Sequence, residues 1–131
     1  MKKSIVIVII IFTVIACKKV KFSPEGPTDV RVRNMSDLTF CEVIVNTSGG
    51  IDTLGDIGPG SVSGYYRFEK AYPKAEIWAK VNSEKFYTGT VNYTYMQFLG
   101  QDKITYEVTI LSMSGKELKI SNVIHDEPID P

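Results

Sequence analysis

From residue 29 onward, hydrophobic and polar positions alternate with a period of two along much of the chain. Val30 and Val32 alternate with Arg31 and Arg33, and Ile104, Tyr106, Val108 and Ile110 alternate with Thr105, Glu107 and Thr109. Successive side chains of a strand point to opposite faces, so this pattern predicts strands with one face buried. Similar runs rich in β-branched and aromatic residues predict further strands at 40–46, 64–68, 75–81, 86–88, 93–99 and 117–124. Turn-forming residues separate them: Ser48-Gly49-Gly50, Gly58-Pro59-Gly60, Tyr72-Pro73, Asn82-Ser83, the stretch 99–102, and 112–115. No segment carries a convincing helical period. A parallel sheet needs crossover helices, so the fold expected is all-β, a single antiparallel β-sandwich of about 7–8 strands. The last two strands, joined through Ser114-Gly115, form the clearest hairpin.

The pattern at the N-terminus is different. Lys2 and Lys3 precede an apolar run from Ile5 to Ala16, which suits the core of an export signal and is shorter than the roughly twenty residues of a spanning helix. The run ends at Val14-Ile15-Ala16-Cys17. An ordinary secretory site wants a small residue where Val14 stands. The tetrapeptide resembles instead the lipobox of bacterial lipoproteins, which implies cleavage before Cys17 and lipid on its thiol. Residues 1–16 are then a signal peptide, and several acyl chains on Cys17 would hold the mature protein to a membrane without spanning it. Residues 17–28 mix Lys18, Lys19 and Lys21 with Pro24, Gly26 and Pro27, a composition that cannot bury enough surface to fold and reads as a tether. Its lysines either touch anionic headgroups or simply solvate the spacer.

The domain proper is expected over 29–126, followed by an acidic, proline-containing tail at 127–131. Its length suits one modest core. Acidic and basic residues balance at fifteen each, and losing Lys2 and Lys3 with the signal leaves thirteen basic residues. Such a balance gives no footprint for nucleic acid. With Cys17 committed to lipid, Cys41 is alone in an oxidising compartment. Its alternation with Val43 and Val45 predicts that it faces the core.

Ile57-Gly58-Pro59-Gly60, Ser63-Gly64-Tyr65-Tyr66, Ala71-Tyr72, Ala75-Glu76-Ile77, and Leu99-Gly100 followed by Ile104-Thr105-Tyr106 resemble the small single-domain sandwich lipoproteins of Bacteroidetes. The resemblance spans roughly 30–124 and implies an immunoglobulin-like or transthyretin-like fold in the cell envelope. It implies no activity. The lysines after Cys17, where surface-exported relatives often carry acids, favour the periplasmic face of the outer membrane over the cell surface.

Candidate chemistry is sparse. Gly60-Ser61-Val62-Ser63-Gly64 has valine where a nucleophile elbow needs serine. His125 stands among Asp126, Glu127 and Asp130, in what reads as a solvated tail rather than a metal site. No cofactor is implied, and an enzyme is not expected; a small envelope hydrolase would lack a nucleophile and base. The better lead is Trp78, which shares the polar side of its strand with Glu76 and Lys80. An outward tryptophan near Tyr65 or Tyr66 and Tyr87 would serve a protein partner or a glycan, whereas a purely structural Trp78 would cover a second layer or an edge. Asp52-Thr53-Leu54 is similar to the motif that Bacteroidetes O-glycosylate, which marks Thr53. The expected function is a lipid-anchored, non-catalytic binding or assembly module, with a carbohydrate-binding surface protein as the alternative.

Overall fold

The computed structural model describes residues 24–128, the side chains of the last two excepted. The segment expected as a signal peptide, Cys17 and most of the expected tether lie outside the described residues, as do residues 129–131. The fold is all-β, with eight strands and, among the described residues, no helix. They are β1 (Thr28–Asn34), β2 (Phe40–Asn46), β3 (Ile51–Ile57), β4 (Tyr66–Phe68), β5 (Glu76–Val81), β6 (Glu84–Tyr87), β7 (Asp102–Ser112) and β8 (Glu117–Pro128).

All eight strands belong to one hydrogen-bonded sheet, in the order β3-β2-β5-β6-β8-β7-β1-β4. The sheet curls until its two edge strands, β3 and β4, approach one another, and the Glu69 N–H just past β4 donates to the Gly49 carbonyl just before β3 at 3.2 Å. Right-handed twist accumulated over eight strands produces such near-closure. Most pairs are antiparallel, but β1 lies parallel to β7 over the register Asp29 with Lys103 to Asn34 with Val108, and β6 lies parallel to β8 at Tyr87 and Glu117. The sheet is therefore mixed rather than wholly antiparallel. Both parallel pairs join strands far enough apart in sequence for other strands, not helices, to make the crossover.

The alternation in β1 and β7 has the expected consequence. Val30, Val32, Ile104, Tyr106 and Val108 are fully buried with Phe40, Val43, Val45, Ile77, Val81 and Phe86, while Arg31 and Arg33 face outward and reach Thr105 and Glu107 on the neighbouring strand. The β7–β8 hairpin forms as expected, and β8 continues to Pro128, so His125 and Asp126 lie on a strand rather than in a tail.

Three further expectations need correction. The segment 93–99 is a loop. Residues 51–57 form an unanticipated strand. Cys41 does not face the core: register shifts between Cys41 and Ile44 mark a β-bulge, with Glu42 at a positive φ of 49°. The extra residue turns Phe40, Val43 and Val45 inward together and leaves Cys41 half-buried on the outer face.

Candidate functional site

The outer face of β2, β5 and β6 carries the one aromatic cluster that the sequence marks as a surface. On β5, Ile77, Ala79 and Val81 are buried, so the period of two sends Glu76, Trp78 and Lys80 outward. Tyr87 is the direct cross-strand partner of Trp78 on β6, and Ile44 is its partner on β2. Ile44 in turn pairs with Thr53 on β3. Residues directly opposite one another in an antiparallel pair share a face, so Thr53, Ile44, Trp78 and Tyr87 form one outward row across four strands.

Within that row the rings of Trp78 and Tyr87 stack, with centroids 4.8 Å apart and planes 9° from parallel. Stacking of this kind adds about 0.5–1.5 kcal/mol beyond area burial. The Tyr87 hydroxyl donates to the Glu76 carboxylate, and this bond, assisted by burial, pushes the phenol above its usual pKa. Two residues along β5, Lys80 Nζ lies 2.6 Å from Glu42 Oε2, which raises the ammonium pKa. Cys41, opposite Lys80 on β2, completes an aromatic row flanked by a carboxylate on one side and a lysine–glutamate pair on the other.

Tyr66 is not part of this surface. It lies on β4, at the other end of the strand order, opposite Val30, and packs against the core. Tyr65 belongs to a separate polar cluster: its hydroxyl donates to Asp126 Oδ2 at 2.8 Å, and the Arg31 guanidinium sits 4.8 Å from its ring centre. Asp126 also accepts from Thr105 at 2.7 Å and pairs with Arg31 at 3.6 Å. His125 Nδ1 contacts the Asp102 carboxylate across the hairpin. Sequence reading missed this cluster because its members lie far apart along the chain, and only the pairing of β7 with β8 and β1 assembles them. Among the described residues no group of three or more histidine, cysteine, aspartate or glutamate side chains is placed to hold a metal ion.

Ser63, in the glycine-flanked stretch, has a structural task. Its hydroxyl accepts the Val32 N–H at 3.0 Å and donates to the Gly64 carbonyl at 2.8 Å. A cleft of about 480 Å³ at the other end of β1 is lined by Met35, Asp37, Leu38, Ile110, Leu111 and Met113, among others, without a histidine or cysteine in its wall.

No family model matches the chain, and no curated protein matches it. Among solved structures, the NMR structure of a protein from Eubacterium rectale is similar to it. The TM-score is 0.46 at 14% identity, over 83% of this chain and 96% of that one.

Proposed function

We propose that this chain is a lipid-anchored lipoprotein of the bacterial cell envelope, held through Cys17 to the outer membrane, whose β domain is a non-catalytic binding or assembly module. The lipobox-like Val14-Ile15-Ala16-Cys17 supports the anchor. The observation that carries the binding role is the outward row Thr53, Ile44, Trp78 and Tyr87, with its stacked ring pair. Tryptophan and tyrosine are the residues that most often dominate the energetics of protein interfaces.

The test is crosslinking in intact cells followed by affinity capture through a C-terminal tag. A defined envelope protein is expected with the native chain and is expected to be lost with Cys17→Ala and with Trp78→Ala. Trp78→Ala should leave a folded domain, destabilised by about 1 kcal/mol through the lost stack. Collapse of the fold would show instead that the indole is structural.

A carbohydrate ligand is the second reading, favoured by the Glu76 carboxylate beside the paired rings. It calls for glycan-array binding that Trp78→Ala abolishes. Thr53, exposed on the edge strand β3, is accessible to O-glycosylation, and an intact mass equal to that of the unmodified lipidated chain would remove that assignment.

A further inference from the structure

The loop between β6 and β7 holds Tyr93-Thr94-Tyr95-Met96-Gln97-Phe98. It is a well-fastened turn: Met96 N donates to Tyr93 O at 3.0 Å and Leu99 N to Ala71 O at 2.8 Å. Tyr93 tucks its ring 4.8 Å from that of Tyr72 and points its hydroxyl at the Asn46 carbonyl, 3.4 Å away. This fastening leaves two aromatics standing off the surface. Tyr95, at the tip, is 97% exposed, and Phe98 is 45% exposed with Lys70 Nζ 6.0 Å from its ring centre. A solitary exposed aromatic needs no explanation, but a braced turn that presents two has a direction.

The direction is that of the tether. The Pro24 carbonyl lies against Gly100, 3.4 Å from where a Cβ would stand, and Gly26 packs against the Glu69 backbone beside Lys70. The chain therefore arrives from Cys17 at the end of the sheet that carries Tyr95 and Phe98. Six residues lie between Cys17 and Pro24, and the seven steps from one to the other reach at most roughly 25 Å. Met35 lies past the opposite end of β1, about 23 Å of extended strand further away.

We propose that Tyr95 and Phe98 make a second, noncovalent contact with the bilayer that holds Cys17, seating the domain against the membrane by its tether end. The inference rests on the lipoprotein reading above. Aromatic side chains settle at the boundary between headgroups and acyl chains, and Lys70 beside Phe98 offers an ammonium group to headgroup phosphates. Glu25 and Glu69 lie at the same end, so the aromatic contribution dominates. The lipid and the turn together fix the tilt of the domain.

The test uses the full lipidated chain in phosphatidylethanolamine–phosphatidylglycerol vesicles, with or without brominated acyl chains. Trp78→Phe removes the native indole, and Tyr95→Trp, Phe98→Trp or Met35→Trp then adds one elsewhere. Indoles at the turn are expected to lose about half their emission to bromine, as burial about 5–10 Å into the boundary requires, while the Met35→Trp chain is unaffected. Chains that float with the vesicles but show no bromine quenching at either turn position overturn the contact. A blue-shifted, unquenched indole at the turn assigns it to a second copy of the chain and overturns it equally. If the native chain floats no better than Cys17→Ser, the lipid anchor itself fails, and the seated domain fails with it.

Discussion

Asn34 closes β1 with no exposed surface and uses every polar group it has. Its Nδ2 donates to the carbonyls of Leu38 at 2.6 Å and Ile57 at 3.0 Å, and its Oδ1 accepts from the Ser36 N–H at 2.9 Å and hydroxyl at 2.7 Å. Its backbone donates to Ser61 and accepts from Gly60. One side chain thus ties the end of β1 to the β1–β2 turn and the end of β3. Asn34→Ala would take the amide donor from the Ile57 carbonyl, leave the Leu38 carbonyl to the Ser36 hydroxyl alone, and strip the Ser36 N–H of its acceptor, and an orphaned buried polar group costs about 1–3 kcal/mol. The expected loss is about 2–4 kcal/mol, read as a lower urea midpoint with unchanged slope. A loss below about 0.5 kcal/mol would show that water replaces the amide. Nothing in the sequence distinguishes this asparagine from an ordinary turn residue, because Ile57 and Gly60 reach it only when β3 folds back past β1.

At the scale of elements, legibility followed burial. Strands with one clean buried face, β1, β5 and β7, read directly from their alternation, and β2 was placed correctly although its facing was not. β3 was missed because Asp52, Gly55 and Asp56 interrupt its apolar positions. It is a strand through its pairing with β2, which supplies hydrogen bonds that no local propensity encodes. The segment 93–99 erred the other way: Tyr93 and Phe98 pack against Tyr72 while Tyr95 is exposed, so its strand-like composition serves a turn. The bulge in β2 is directly testable. Glu42 holds a left-handed backbone that costs a non-glycine residue about 1–2 kcal/mol, while its exposed pair with Lys80 returns little. Glu42→Gly is expected to be neutral to about 1 kcal/mol stabilising, and Glu42→Val to destabilise by about 1–2 kcal/mol. The same bulge predicts that a thiol reagent modifies Cys41 in the folded protein; protection until unfolding would put Cys41 back in the core.

For the whole molecule, the outward row of Thr53, Ile44, Trp78 and Tyr87 was half legible. The outward direction of Trp78 and its nearness to Tyr87 follow from period two and adjacent strands, but the exclusion of Tyr66 depends on strand order, which sequence does not contain. Closure of the sheet also determines how the molecule responds to alkali, because it shuts Tyr106 into the interior, while Tyr93 is half-buried on the β6–β7 loop. Burial pushes the Tyr93 phenol up to about 12 and drives that of fully buried Tyr106, whose hydroxyl donates to the Tyr72 carbonyl, still further. Both start from an ordinary value of 10.0. The unfolded chain therefore releases these protons at lower pH than the folded chain, so the stabilisation is complete below about pH 10 and is lost as pH rises through about 12. Urea midpoints are expected to stay level up to about pH 10 and then to fall steeply. The ion pair of Lys80 fades in the same window, so the tyrosines must be separated from it by substitution. Tyr106→Phe should cost about 1 kcal/mol near neutrality through the lost hydrogen bond, yet decline less steeply in alkali because no buried phenol remains there to ionise. Parallel alkaline declines for the native chain and Tyr106→Phe would assign the loss to Tyr93 and Lys80 and remove Tyr106 from the account.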